Sequence, residues 1–173
     1  YGMSFSPNLP DAPLDMRLSR PPKGETAWDL LVHSSDQELG DILKAYGEMP
    51  GAHRLARRIR EGIHNQETQD STQSLARFIE KISGGRRKDQ IHPATLVFQS
   101  LRIAVNDELR ALDHFLEGVI LKMQTSGRLA TITFHSLEDR IVKQWGQRNA
   151  SHLRMLTKKP VTASPGEVKM NPR

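Results

Sequence analysis

The feature that most limits what this chain can fold into is that a single stretch of it reads as a strand. Leu129-Ala-Thr-Ile-Thr-Phe134 is short, apolar and β-branched, the composition of a strand buried on both faces. Elsewhere the apolar residues recur every three or four positions, the period of a helix with one buried stripe. One strand cannot make a sheet, because its backbone N–H and C=O groups need a neighbouring strand. The expected fold class is therefore mainly α with partial α/β character. A helical lobe comes first; then a helix, a Gly turn, a buried strand and a helix follow the grammar of a doubly wound sheet.

Start and stop signals place the helices. Pro7, Pro10, Pro13, Pro21 and Pro22 forbid continuous helix over residues 1–24, which reads as an extended leading segment. Thr26 opens a short helix to His33 that buries Trp28, Leu31 and Val32. Ser35 and Glu38 form a capping box for a helix carrying Leu39, Ile42 and Leu43 and stopping at Gly47. A third helix follows Pro50, with Leu55, Ala56, Ile59 and Ile63 on its stripe, and a fourth runs from Ser71 to Gly84-Gly85. The longest helical signal extends from about Ala94 to Met123. After the strand, His135-Ser136 turns into a helix reaching Arg148, with Ser136 as its cap and Glu138 and Asp139 beside its positive end. From Ala150 onward the chain is polar and proline-bearing, so a loop or tail is expected. The expected organisation is a leading segment at 1–24, a helical lobe at 20–90, part of an α/β domain at 91–149 and a tail at 150–173.

The 173 residues carry a net charge of +5 and a pI near 9.7, which favours a polyanionic partner such as nucleic acid. There is no cysteine, which excludes disulfides and thiolate metal sites, and no metal centre is expected. No apolar run approaches the roughly 18 residues that span a bilayer, and the first residues lack the basic and apolar stretches of a signal peptide. A cytoplasmic protein is expected, and the opening Tyr1 reads as a fragment or trimmed chain.

Two sets of polar residues stand out on the helices. Gln99, Arg102 and Asn106 share one helical face by their spacing of three and four, which fits the lining of a cleft; a solvated stripe gives the same spacing. Arg54, Arg57 and Arg58, with the Arg86-Arg87-Lys88 loop, are candidates for phosphate contact; an ordinary solvated face reads alike. The strand-to-helix junction at His135 is the kind of place where open α/β sheets bind ligands.

Phe134-His-Ser-Leu-Glu-Asp-Arg140, followed by Ile141-Val-Lys143, resembles the signature of the bacterial 16S rRNA cytosine-N4 methyltransferase family, called RsmH or MraW. Pro13-Leu-Asp-Met-Arg17, Tyr46-Gly-Glu48 with Arg57-Arg58-Ile59, and His92-Pro-Ala-Thr95 with Phe98-Gln99, Arg102-Ile103 and Val105 to Leu109 resemble further elements of that family in the same order. Departures are mild: Ala12 stands where Gly is usual, Leu18 and Met49 replace Met and Glu, and Thr125-Ser126-Gly127 replaces Pro-Gly-Gly.

The resemblance implies a helical substrate-recognition insert joined to the C-terminal part of a Rossmann-like class I methyltransferase domain. It implies S-adenosylmethionine as methyl donor and 16S rRNA in the small ribosomal subunit as partner. The family's glycine-rich turn, which holds the donor, has no counterpart in this sequence, so cofactor-binding residues are expected upstream of Tyr1 and this portion alone is expected to be inactive. Asp15, His135, Ser136, Glu138 and Asp139 are the implied catalytic candidates. Arg17, Arg102, Arg140 and Lys143 join the arginines above as candidate RNA contacts. A non-enzymatic RNA-binding helical module is the alternative. A helix-turn-helix DNA regulator fits the Gly-separated helices but leaves Phe134–Arg140 without a role.

Overall fold

The computed structural model describes residues 2–6, 8–85, 91–157 and 159–171. Eight helices lie among them: α1 Ala27–His33, α2 Asp36–Gly47, α3 Ala52–His64, α4 Thr72–Ile82, α5 Ala94–Asn106, α6 Glu108–Ile120, α7 Ser136–Arg148 and α8 Pro165–Met170. The chain divides into two compact units, Tyr1–Ala111 and Leu112–Arg173, and each is taken by itself.

In the first unit the sequence signals act as expected. Thr26 and Ser35 both complete capping boxes, with Asp29 and Glu38 as their N3 partners, and Ser71 accepts from the Ser74 N–H at the start of α4. The apolar stripes of these helices meet in one core, where Leu31, Leu39, Leu43, Ile59, Leu75, Ile79 and Leu101 are fully buried. Helix α2 packs along α3 and α5, and α5 also touches α1 and α4. Close approach depends on glycine: a Cβ at Gly62 would lie 2.1 Å from the Phe78 ring, and one at Gly40 would lie 2.3 Å from His53. Two details differ from the sequence expectation. Val32 is exposed, and the left-handed residue ending α2 is Glu48 at φ 48°, not Gly47. Gly47 is buried instead, because a Cβ there would lie 2.7 Å from Ser100 Oγ.

The leading segment is threaded into this core. Leu14 and Met16 are fully buried while Asp15 and Arg17, between and after them, stay partly exposed. Upstream, Asp11 accepts hydrogen bonds from Ser71 Oγ (2.6 Å), Thr72 Oγ1 (3.0 Å) and the Gln73 N–H (3.1 Å). A carboxylate some sixty residues away in sequence thus sits at the positive end of α4. Those bonds, the Ser71 hydroxyl foremost, lower its pKa from 3.8 to about 2. Phe5 closes the other side of the segment, with ring centroids 4.6 Å from Phe98 and 4.8 Å from His92.

From α5 onward the chain corrects several expectations. The helical signal over 94–123 is two helices, α5 and α6, broken where Asp107 adopts φ 50°. No strand occurs among the described residues, and the stretch 129–134 is extended and largely exposed, with Ile132 and Phe134 both 84% accessible. The partial α/β reading therefore gives way to a helical architecture in what is described. The physical reason is the one met above: strand-forming side chains cannot hold a strand without a second backbone to accept its hydrogen bonds. The tail also holds a helix, α8, opened by the Ser164–Glu167 capping box with Pro165 at its first position. None of its residues is buried. Among the described residues of the second unit burial is confined to Leu116, Leu137, Trp145 and Gly146; Met155 folds back against Gly146, where a Cβ would meet its sulfur at 2.6 Å. Arg148 on α7 ties to Asp113 and Glu117 on α6 at 3.2 and 3.3 Å.

Candidate functional site

The best-defined polar arrangement of the first unit is the strap formed by residues 14–18. Its backbone is engaged almost atom by atom. The Leu14 N–H donates to Asp70 Oδ1 at 2.7 Å. The Leu14 and Asp15 carbonyls accept from the Trp28 and Ala27 N–H groups that open α1. Met16 takes the left-handed conformation at φ 58°, and this turns the chain so that Asp15 and Arg17 face each other. Arg17 Nε and Nη2 donate to the two Asp15 oxygens at 2.6 and 3.1 Å, and Nη1 donates to the Gly24 carbonyl at 3.0 Å. The bidentate guanidinium holds the Asp15 carboxyl below its ordinary pKa and raises that of Arg17 in return. Asp15 remains an ionised, partly exposed acceptor at neutral pH. Arg17, a candidate RNA contact, spends three of its donors inside the fold.

The three polar residues on α5 are braces. Gln99 donates to the Tyr46 carbonyl near the end of α2 at 3.1 Å. Arg102 makes a bidentate pair with Glu108 at 2.9 and 3.0 Å. Asn106 bonds to the strap through both ends of its carboxamide. Asn106 also lines a half-open cleft of about 510 Å³ with Leu18, Ser19, Lys23, Val105, Glu108 and Ala111; Gln99 does not. The sequence gives no sign of the Ser19 and Lys23 wall, since no periodicity connects positions 88 residues apart such as Leu18 and Asn106.

The basic residues sort by what they touch. On α3, Arg60 binds Asp36 at 2.7 Å and Arg58 donates to the Ile82 carbonyl at the end of α4 at 2.9 Å. Arg57 is exposed and lies 3.8 Å from Glu61, and Arg54 is exposed with no partner among the described residues. The Arg86-Arg87-Lys88 loop lies outside the described residues.

In the second unit, α7 is capped by His135, not by the Ser136 hydroxyl. The Glu138 N–H donates to His135 Nδ1 at 3.4 Å. That bond leaves the proton on Nε2, which is buried without a hydrogen-bond partner, 3.5 Å from Glu138 Oε1. Glu138 Oε2 accepts from the Phe134 N–H at 2.7 Å, and Asp139 pairs with Lys143 at 2.6 Å. His135, Glu138 and Asp139 are thus within one helical turn, with Ser136 and Arg140 exposed beside them. Asp15 belongs to the other unit.

In doubly wound α/β folds a nucleotide is held at a glycine-rich turn between strand and helix, with an acidic group for its ribose. Among the described residues no glycine lies in such a turn, and the glycines with positive φ at 2, 24, 51, 84 and 85 lie in loops between helices or before α1. The residues described here do not fit that group.

All of residues 1–173 match the model of the MraW methylase family. Among curated relatives, "Ribosomal RNA small subunit methyltransferase H" of Cyanothece sp. (strain PCC 7425 / ATCC 29141) is 47% identical over 94% of this chain and 53% of its own length. The protein of the same name from Sorangium cellulosum (strain So ce56) is 44% identical over 99% and 53%. That from Nitratidesulfovibrio vulgaris (strain DP4) is 41% identical over 94% and 56%. The class these findings define is a methylase chain with a helical N-terminal unit. The chain belongs to the MraW methylase family, and it spans about half the length of the curated relatives it matches.

Proposed function

We propose that this chain is the RNA-facing part of a small-subunit rRNA methyltransferase that uses S-adenosylmethionine to modify the N4 amine of a cytosine. The observation that carries this reading is the Asp15 carboxylate, ionised and fixed on its strap with room to accept from outside. An exocyclic cytosine amine is a poor nucleophile because its lone pair is conjugated into the ring. A fixed carboxylate that accepts from the amino hydrogens orients it and stabilises the positive charge that develops on nitrogen. The base must also leave its stack to be reached, and the 510 Å³ cleft beside the strap has room for it.

In the same reading α1–α4 form the substrate-recognition insert, Arg54 and Arg57 meet phosphate, and His135, Ser136, Glu138 and Asp139 with Arg140 and Lys143 are the second unit's own candidate substrate contacts. The stretch 129–134 pairs into a methyltransferase sheet whose other strands, like the donor's cradle, come from the part of the protein that matches the rest of the relatives. The protein works in the cytoplasm on the small ribosomal subunit. No helix among the described residues is long and apolar enough to cross a membrane. A second reading, an RNA-binding helical module without chemistry, draws on the exposed Arg54–Arg57 edge and on the poor fit of the donor.

The test is methyl transfer by the full-length protein to small subunits lacking the modification, with nucleoside mass spectrometry of the product. N4-methylcytidine is the expected outcome, and Asp15→Ala reduces its formation about 10²-fold or more. Salt-dependent rRNA binding with no methyl transfer supports the second reading and overturns the first.

A further inference from the structure

The carboxamide of Asn106 ties the strap to the end of α5. Its Nδ2 donates to the Met16 carbonyl at 2.8 Å and to the Arg102 carbonyl at 2.9 Å, and its Oδ1 accepts from the Leu18 N–H at 2.8 Å. The two strap atoms it reads lie on either side of Arg17, the residue that orients Asp15. One of them belongs to Met16, whose left-handed backbone L-residues rarely adopt.

We infer that Asn106 is a positioning residue for methyl transfer: it clamps residues 16–18 so that the Arg17 fork holds the Asp15 carboxylate in its fixed, partly exposed position. This rests on the proposed function. The other end of the strap is anchored without Asn106, since Leu14 is fully buried and bonded to Asp70 and to the Trp28 N–H. Removing the clamp therefore frees the 16–18 end while the segment stays attached. The arrangement also explains why a carboxamide ends α5: it offers a donor and an acceptor side by side for a C=O and an N–H two residues apart.

The experiment uses the full-length protein with small-subunit rRNA as substrate. Asn106→Ala and Asn106→Asp lower kcat about 10²-fold, the scale of a misplacement near 1 Å, with little change in KM for the rRNA. Asn106→Asp keeps the volume and the Leu18 acceptor but loses the donor to the Met16 carbonyl, so it carries the test if the alanine variant unfolds. In an Asp15→Asn background, which retains residual activity, Asn106→Ala has no further effect on kcat, because the clamp acts through Asp15. Faster amide exchange at Leu18 with an unchanged Tm accompanies the loss. Independent, multiplying losses in the double variant, an unchanged kcat, or unfolding of both single variants overturns the positioning role while leaving the proposed function standing. A wild-type protein that transfers no methyl group overturns both.

Discussion

The two units spend similar side chains in opposite ways. The first buries its large aliphatic residues in one core and binds its leading segment at nearly every backbone atom from Leu14 to Leu18. The second leaves Leu121, Ile132, Phe134, Val161 and Met170 more than four-fifths exposed and buries only a few residues of α6 and α7. Apolar periodicity alone therefore does not make a core. Four short helices close on one another because each has an apolar stripe facing a neighbour, and α1, α2 and α4 also have capped starts, whereas a lone strand-like stretch has nothing of its own kind to bury against.

The sharpest way to break this contrast is core truncation. Leu39→Ala or Leu101→Ala, both at sites with no exposure, should cost about 2–5 kcal/mol in denaturant unfolding. Leu121→Ala, 81% exposed, should stay within about 0.5 kcal/mol. Equal losses would refute the difference between the units.

Glycine gives a test with opposite signs. Gly62→Ala drives a Cβ to 2.1 Å from Phe78, and this overpacking should cost about 1–3 kcal/mol. Gly118→Ala in α6 has nothing within 4 Å and should stabilise that helix by roughly 0.5–1 kcal/mol through backbone entropy. Thermal melts of both variants read the two signs.

For binding, Arg54→Ala and Arg57→Ala should each reduce the slope of log K against log salt for rRNA by about 1, as expected for one lost phosphate contact. Arg60 and Arg148, already held by Asp36 and by Asp113 with Glu117, should leave the slope unchanged when replaced. A reversed pattern would move the RNA interface off the exposed edge of α3.

The smallest expected effect is in acid. Asp11 has its folded pKa lowered to about 2, so its stabilising bonds to α4 are present above the unfolded value near 4 and are lost as pH falls through 2. Asp15, Asp29, Glu38 and Asp41 shift in the same direction in the same unit. Hydrogen exchange in the first unit should therefore quicken over that window, and Asp11→Asn should flatten the dependence at the start of α4.

Much of the first unit was legible from local chemistry. Thr26, Ser35 and Ser71 mark helix starts because a hydroxyl before a helix satisfies a free amide wherever the helix later packs. Leu75, Phe78 and Ile79 mark a buried face by spacing alone. The Ser164–Glu167 box was equally legible, but proline and polarity drew the reading toward a loop. At the site, the Asp15–Arg17 pair sits within one short motif, whereas the roles of Gln99, Arg102 and Asn106 as braces were not visible. Equal spacing on a helix face says which residues share a side, not what faces them.

By itself the sequence determined where α1 to α4 begin and end, which stripe of each is apolar, and the family to which its ordered motifs belong, since all of these depend on residues within a few positions of one another. Only the tertiary structure decided that Asp11 caps a helix from a distant segment, that Asn106 grips Met16 and Leu18, that His135 and not Ser136 caps α7, and that residues 129–134 stand exposed without a strand partner. Those outcomes turn on which donors and acceptors the folded chain brings within about 3 Å of one another, and no local pattern encodes that distance.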